Sequence, residues 1–346
     1  MYKQIKEIVE QSKKINIAVV GDYSLDCYLY LDNNEQLFSD YVGDTIYCSK
    51  KRIAKPGGAG NVVKNLASLN INVTSIGLIG TDGAGWELKQ LLMKYGVNIH
   101  GLISDERITT NTYYRPVIKN NSINDMPREI VLVNQSKINE NLKKCLLKEL
   151  SSIFSLMDAV VVVEQFFDEG TTVMFSELKE ELMRLHKIFP NVICLVDSRY
   201  HIDSYKGVFL KCNQYELACI GKNWFDHLNQ LHSIAVNRIC ELGKQYAIDT
   251  AGLFVTVGER GTIYMDSENN SLHIQAIKVS GDIDVCGAGD SATAGIIIGL
   301  CVGMKPEQAA LLGNIVASIT IKKIGETGEA QYSDILDILS ERKICI

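Results

Sequence analysis

The residues best suited to chemistry lie in one short run, Asp284-Val285-Cys286-Gly287-Ala288-Gly289-Asp290, directly ahead of an apolar, small-residue stretch from Ser291 to Leu300. Gly287 and Gly289 permit a tight turn and a close ligand approach, because neither carries a Cβ. The stretch that follows reads as a helix, whose first N–H groups lack intrahelical partners and lie at the positive end of its dipole. The N–H groups of Gly287, Ala288 and Gly289 would then suit a phosphate, or the charge on a phosphoryl group in transfer. Asp290 would stand beside that anion site, where a carboxylate can take a proton from an attacking hydroxyl. The same Asp also reads as ordinary helix capping, so context has to decide.

Other polar groups stand where apolar runs end. Ile17-Ala18-Val19-Val20 reads as a strand buried on both faces, followed by Gly21-Asp22 and then Asp26. Ala159 to Glu164 and Val192 to Asp197 each end in an acid in the same way. Ligands of open α/β sheets bind at such carboxyl ends. Pro56-Gly57-Gly58-Ala59-Gly60-Asn61 adds a second glycine-rich turn, whose Asn61 amide can both donate to and accept from a hydroxyl.

These two runs together resemble the paired signatures of the ribokinase-like (PfkB) sugar kinases. Residues 284–290 are similar to the family's C-terminal Asp-Thr-x-Gly-Ala-Gly-Asp, with Val285 in place of Thr as in its heptose 7-phosphate kinases. Residues 56–69 resemble the N-terminal Gly-Gly signature, and residues 76–85 a strand followed by Gly-Thr-Asp-Gly-Ala-Gly. The resemblance spans about residues 15–330. It implies ATP-dependent phosphorylation of a hydroxyl on a sugar or sugar phosphate, with heptose 7-phosphate as the best match and Asp290 as base. It implies further that Asp26, Gly57, Gly58, Asn61, Arg115 and Asp197 meet the sugar. Asn213 and Glu216 match the Asn-x-x-Glu that orders Mg²⁺ through water, with Asn213 on the nucleotide. Thr256, Gly258 and Gly261 match a turn along the nucleotide, and Asn314 a position beside the adenine. A monovalent cation such as K⁺ near Asp284 also follows from the resemblance.

The chain departs from the heptose subgroup on the sugar side. Ser198-Arg199 follow Asp197 where Pro-Lys is usual, Cys212 precedes Asn213 in place of Pro, and Glu164 stands where Ser-Asp is common. Arg199, Arg115, Lys55 and Arg52 are the candidates to bind a phosphate already on the sugar; each also reads as a solvated cation.

The remaining pattern supplies elements to position these groups. Strand-like and helix-like runs alternate from residue 138 onward, which implies βαβ crossovers and a mainly parallel sheet. Residues 28–55 and 108–134 interleave aromatic and polar residues with no helical period, as in an extended sheet outside the main one. The expectation is a three-layer α/β/α domain over residues 1–346 with a small β-sheet lid. A Tyr-rich lid face left in solvent would invite aggregation, which favours a homodimer through it.

Composition excludes other classes. Hydrophobic residues make up 46% and charged ones 22%, ordinary for a globular protein, and a net charge of −6 gives no support to nucleic-acid binding. Met1 to Lys14 reads as an amphipathic charged helix rather than a leader, and no run is long enough to span a membrane. Ten cysteines without metal-ligand spacing suggest reduced thiols in a cytoplasm. A dehydrogenase is disfavoured because no Gly-x-Gly-x-x-Gly follows the first strand. The alternatives left open are a kinase for another sugar, sugar phosphate or nucleoside, and a sugar or nucleotide sensor without catalysis.

Overall fold

Ala159-Val160-Val161-Val162-Val163 has no polar face to offer, so this segment forms a strand covered on both sides. In the computed structural model, which describes residues 14–39, 41, 44–118, 129–220 and 234–342, it is strand β8 (Ala159–Glu164) of a nine-stranded sheet. The others are β1 (Asn16–Gly21), β4 (Asn72–Gly80), β5 (Asn98–Asp105), β9 (Ile193–Ser198), β10 (Phe209–Asn213), β11 (Gly252–Thr256), β12 (Thr262–Met265) and β13 (Ser271–Ile274). They lie in the order β13-β12-β11-β10-β9-β8-β1-β4-β5. All neighbours run parallel except at β12 and β13, which close one edge as antiparallel hairpins.

Side chains alternate across each strand, so each run feeds two cores. Ile17 and Val19 face helices α1 (Ala59–Ser68), α2 (Gly83–Lys94), α7 (Ala288–Cys301), α8 (Pro306–Thr320) and α9 (Tyr332–Arg342). Ala18 and Val20 face α3 (Glu140–Ile153), α4 (Ser176–Ile188), α5 (Gln214–Cys219) and α6 (Val236–Ala247). These are the three expected layers.

Register brings the chemistry to one end. Glu164 pairs with Ser198, Asp197 with Lys211, and Asn213 with Thr256, so the strand ends form a single rim.

A second sheet, ordered β3-β2-β6-β7, stands over that rim; it comprises β2 (Tyr23–Ser39), β3 (Asp44–Gly58), β6 (Asn111–Ile118) and β7 (Ile130–Leu132). Only Asp22 separates β1 from β2, so Asp26 sits on a lid strand rather than in a loop after the central strand. Residues 98–105 join the main sheet, and the helix expected over 170–189 begins at Ser176. Asp22 explains the late start. Its carboxylate accepts from Gln165 N, Thr172 Oγ1 and Val173 N, and so fixes residues 165–175 in irregular backbone. The amphipathic helix expected at residues 1–14 falls almost wholly outside the described residues.

Candidate active site

Helix α7 begins as the glycine turn predicts, with Gly287 at its N-cap in the left-handed region (φ 78°). An ideal Cβ on Gly287 would lie 2.4 Å from Asn61 Nδ2, so only glycine lets the Asn61 amide reach past it. That amide donates to Asp290 Oδ2 at 2.8 Å. Asn61 therefore holds the acid in place, and is itself buried and braced by Asn65. The Ala288 N–H is turned back to Val285 O. Among the described residues, Gly287 N–H and Gly289 N–H have no such backbone partner.

The carboxyl of Asp290 is pushed up to about 6, first by burial and then by the charge of Asp197; Asn61, Lys211 and Arg199 pull it partly back. Asp290 still borders open space, and it borders two spaces at once. One cavity of about 390 Å³ is lined by Asp197, Arg199, Lys211, Asn213, Glu216, Thr256, Gly258, Gly261, Ala288, Gly289 and Asn314, among others. A second, of about 140 Å³, is lined by Ser24, Asp26, Gly58, Tyr113, Arg115 and Glu129, among others. Asp290, Gly287, Gln165 and Arg199 line both.

In the larger cavity, Lys211 Nζ lies 2.8 Å from Asp197 Oδ2 and 3.2 Å from where a Cβ on Gly289 would stand. A buried cation thus sits beneath the glycine turn. Burial opposes its charge, but Asp197 and Glu216 more than offset this and raise it above the usual lysine range. Thr293 Oγ1 also donates to Asp197 Oδ2, at 2.7 Å. Asp197 lines this cavity and not the smaller one, so it stands on a different side from the sugar contact that the sequence implies. Lys211 escaped the sequence reading; its only signal was a charged residue within the apolar run before Asn213.

Asn213 and Glu216 cap helix α5 reciprocally. Asn213 Oδ1 accepts from Tyr215 N and Glu216 N, and Glu216 Oε2 accepts from Asn213 N at 2.7 Å. Both still face the cavity. Burial raises the Glu216 carboxyl, with Lys211 opposing. Among the described residues no group of three or more His, Cys, Asp or Glu could hold a metal. The hard Glu216 carboxylate on the wall of this cavity fits Mg²⁺ held mainly by phosphate oxygens and water.

Gly258 (φ 63°) and Gly261 (φ 100°) shape the turn after β11, at whose end Thr256 lies. The Asn314 amide is occupied: it accepts from Thr262 Oγ1 and donates to the carbonyls of Ile274 and Gln275, tying α8 to the sheet edge. Asp284 is occupied too, Oδ1 by Cys286 N and Oδ2 by Gly325 N, which fastens residue 325 to the anion turn.

In the smaller cavity, Asp26 Oδ2 lies 2.9 Å from Arg115 Nη1, and Arg115 Nε lies 2.6 Å from Glu129 Oε1. Burial raises the Asp26 carboxyl even against Arg115. Gly57 sits behind Asp26, where a Cβ would lie 2.5 Å from Oδ1. Gly58 (φ 54°) caps α1 and lines the cavity. Cys286 faces the same cavity; burial pushes its thiol up to about 11, which leaves it un-ionised at neutral pH. Of the other cations singled out by sequence, Arg52 is bound twice by Glu87, and Lys55 lies 3.1 Å from Glu326.

Comparison with known proteins agrees with this architecture. The chain is 26% identical over 335 residues to the bifunctional protein HldE of Wolinella succinogenes, covering 96% of this chain and 66% of that protein. It is thus shorter than the HldE relative, spanning about two thirds of its length. It is 28% identical over 316 residues to an uncharacterized sugar kinase of Buchnera aphidicola, covering 90% and 93% of the two chains. An Arabidopsis thaliana ribokinase solved with ribose and ATP superposes with a TM-score of 0.68 at 16% identity, covering 94% and 98%. Phosphofructokinase-2 from Escherichia coli, in its tetrameric inhibited form, gives 0.73 at 16% identity, covering 95% and 99%. The family description "pfkB family carbohydrate kinase" matches residues 14–331, and with the ribokinase-like fold and the glycine turn in place, this chain belongs to that family of sugar kinases.

Proposed function

We propose that the protein transfers the γ-phosphoryl group of ATP to a hydroxyl of a sugar or sugar phosphate. The observation that carries this reading is the position of Asp290, on the boundary between a cavity with phosphate-binding groups and one with hydroxyl-binding groups. Asp290 takes the proton of the attacking hydroxyl, the oxygen bonds to the γ-phosphorus, and the bond to the β–γ bridging oxygen breaks to release ADP. Gly287 N–H, Gly289 N–H and Lys211 face the charge on the transferring group, where fixed donors act most strongly. Asn61 keeps Asp290 aimed at the boundary. Mg²⁺, when bound with the nucleotide, would shield phosphate charge, with Glu216 and Asn213 the residues nearest to hold its water shell.

Asp26 and Arg115 are assigned to the acceptor, and Thr256, Gly258, Gly261 and Asn314 to the walls of the nucleotide cavity. Arg199, common to both cavities, faces either substrate. The resemblance to heptose 7-phosphate kinases makes that compound the first acceptor to try. A cytoplasmic homodimer joined through the lid completes the reading. Its support is the exposure of Ile130, Val131 and Leu132 on β7. The test is ADP release from Mg-ATP against a panel of free and phosphorylated sugars and nucleosides. Turnover on any of them sustains the kinase; ATP binding with no turnover on all of them points to a sensor.

A further inference from the structure

Glu164 and Ser198, two of the positions at which the chain departs from the heptose subgroup, are partners in the fold. They stand in register at the carboxyl ends of β8 and β9, and Ser198 Oγ donates to Glu164 Oε2 at 2.6 Å. Glu164 is fully buried and lines neither cavity. Its Oε1 lies 2.9 Å from Lys179 Nζ of α4 and 3.2 Å from His201 Nδ1, close contacts whose angles fall short of hydrogen bonds. Tyr205 OH donates to Oε2 at 3.5 Å. A buried carboxylate is costly unless it is paired and hydrogen-bonded, and this one has a cation on one oxygen and donors on the other. Burial opposes its charge, but His201, Lys179 and Ser198 more than offset this and hold the carboxyl below the usual range.

What this acid fixes is the chain around Arg199. The Glu164 carbonyl accepts from Arg199 N at 3.1 Å. Ser198 Oγ, besides donating to the carboxylate, accepts from His201 N at 3.0 Å. Residues on both sides of Arg199 are therefore held to Glu164. Lys179 is shared between Glu164 and Glu169, at 2.9 and 3.0 Å, which ties α4 to the segment after β8. The Phe167 ring of that segment stacks on the His201 ring, with centroids 5.5 Å apart. Arg199 itself is held loosely. Its side chain is 44% exposed, its Nε stands 3.9 Å from Glu216 Oε1, and it lines both cavities as Asp290 does. A long side chain with that much rotamer freedom is delivered to the boundary by where its backbone starts.

We propose that Glu164 is a positioning residue for the transfer: through Ser198 and His201 it sets the backbone from which Arg199 reaches the phosphoryl group between the two cavities. This deepens the kinase reading above and rests on it. A carboxylate suits the task because its two oxygens accept from several donors at once and bring no proton of their own to place. Arg199 suits the other end, since a planar guanidinium can bind two oxygens of one phosphoryl group.

The test is a double-mutant cycle with Mg-ATP and the best acceptor. Arg199→Met and Glu164→Gln should each lower kcat about tenfold, with the KM for Mg-ATP within about threefold. In the Arg199→Met background, Glu164→Gln should cost less than about twofold more, because the group it positions is gone. An equal loss in both backgrounds overturns the inference and leaves a carboxylate that only holds the fold together. An unchanged kcat in Glu164→Gln overturns it as well. Ser198→Ala removes one hydroxyl and keeps the buried Glu164–Lys179 pair, so it runs the same cycle if Glu164→Gln fails to fold. It should cost about fivefold in the wild type and less than about twofold in Arg199→Met, and equal losses overturn the inference. If no acceptor turns over, the cycle is read by calorimetry on the binding of Mg-ADP with aluminium fluoride, a mimic of the transferring group. Weakening by Glu164→Gln that vanishes in Arg199→Met sustains the positioning role while the kinase reading falls. No binding by the wild type, or equal weakening in both backgrounds, overturns the positioning role.

Discussion

Asp290 concentrates the conflict between stability and chemistry in one side chain. Its carboxyl holds its proton up to about 6, so the base form is present only above that pH. The rate of transfer is expected to rise as pH passes through about 6 and then to level off, a limb absent from the residual activity of Asp290→Asn. That variant should lose about 10²–10⁴ in kcat, the range general-base help supplies, with Mg-ATP affinity within twofold by calorimetry. The same shift fixes a stability sign. A carboxyl raised above its unfolded value of 3.8 binds its proton more tightly in the folded protein, so the contribution is full below about pH 4 and lost as pH rises through about 6. At pH 7.5, Asp290→Asn should therefore be more stable than the wild type, by about 1–2 kcal/mol in urea unfolding, with the gap closing near pH 4. Equal stability at both pH values would mean that the ionised acid is not strained where it stands.

At the scale of elements, what aims Asp290 is the seating of α7. Beyond its first turn the helix is almost wholly apolar and buried, packed on α8, α1 and the sheet. Gly295 and Gly313 let the two helices touch: a Cβ on Gly295 would lie 2.7 Å from Gly313 Cα and 2.9 Å from its N. Backbone on both sides leaves no flexible side chain to yield. Gly295→Ala should cost about 1–3 kcal/mol and also lower kcat, because pushing α7 away moves Asp290 off the Asn61 amide. Loss of stability with an unchanged kcat would show that the contact packs the helix without aiming the acid. Asp22 plays a similar part for residues 165–175. Asp22→Ala strands two backbone N–H groups and a threonine hydroxyl, at about 2–4 kcal/mol by urea unfolding, and frees Gln165 at the cavity boundary.

For the whole molecule, the lid is the part not yet accounted for. Among the described residues strand β7 is paired on one side only, and Ile130, Val131 and Leu132 are exposed at 55%, 39% and 48%. Three adjacent apolar side chains on a sheet edge are a liability for a lone subunit. Light scattering should find a dimer, and Val131→Lys should shift it toward monomer and raise the KM for the acceptor. A monomeric wild type would remove the dimer from the proposed function.

Much of this molecule could be read from its sequence. Apolar runs ending in acids announced a parallel sheet, because a strand buried on both faces has no use for polar residues until it leaves the core. The glycines ahead of Asp290 announced a tight turn, because only glycine fits at φ 78° against the Asn61 amide. Partnership was not legible, since it depends on strand register and helix packing between residues far apart in the chain. Register placed Lys211 beside Asp197 and turned that acid toward the larger cavity, where the sequence implied a sugar contact. Packing set Asn61 against Asp290 across 229 residues, and brought Glu129 to Arg115. The sequence by itself determined the fold and the presence of a glycine turn with an acid beside it, because those depend on local residue type. Tertiary structure alone decided which charges are already answered, because pairs such as Asp26–Arg115 and Asp197–Lys211 join side chains from different strands.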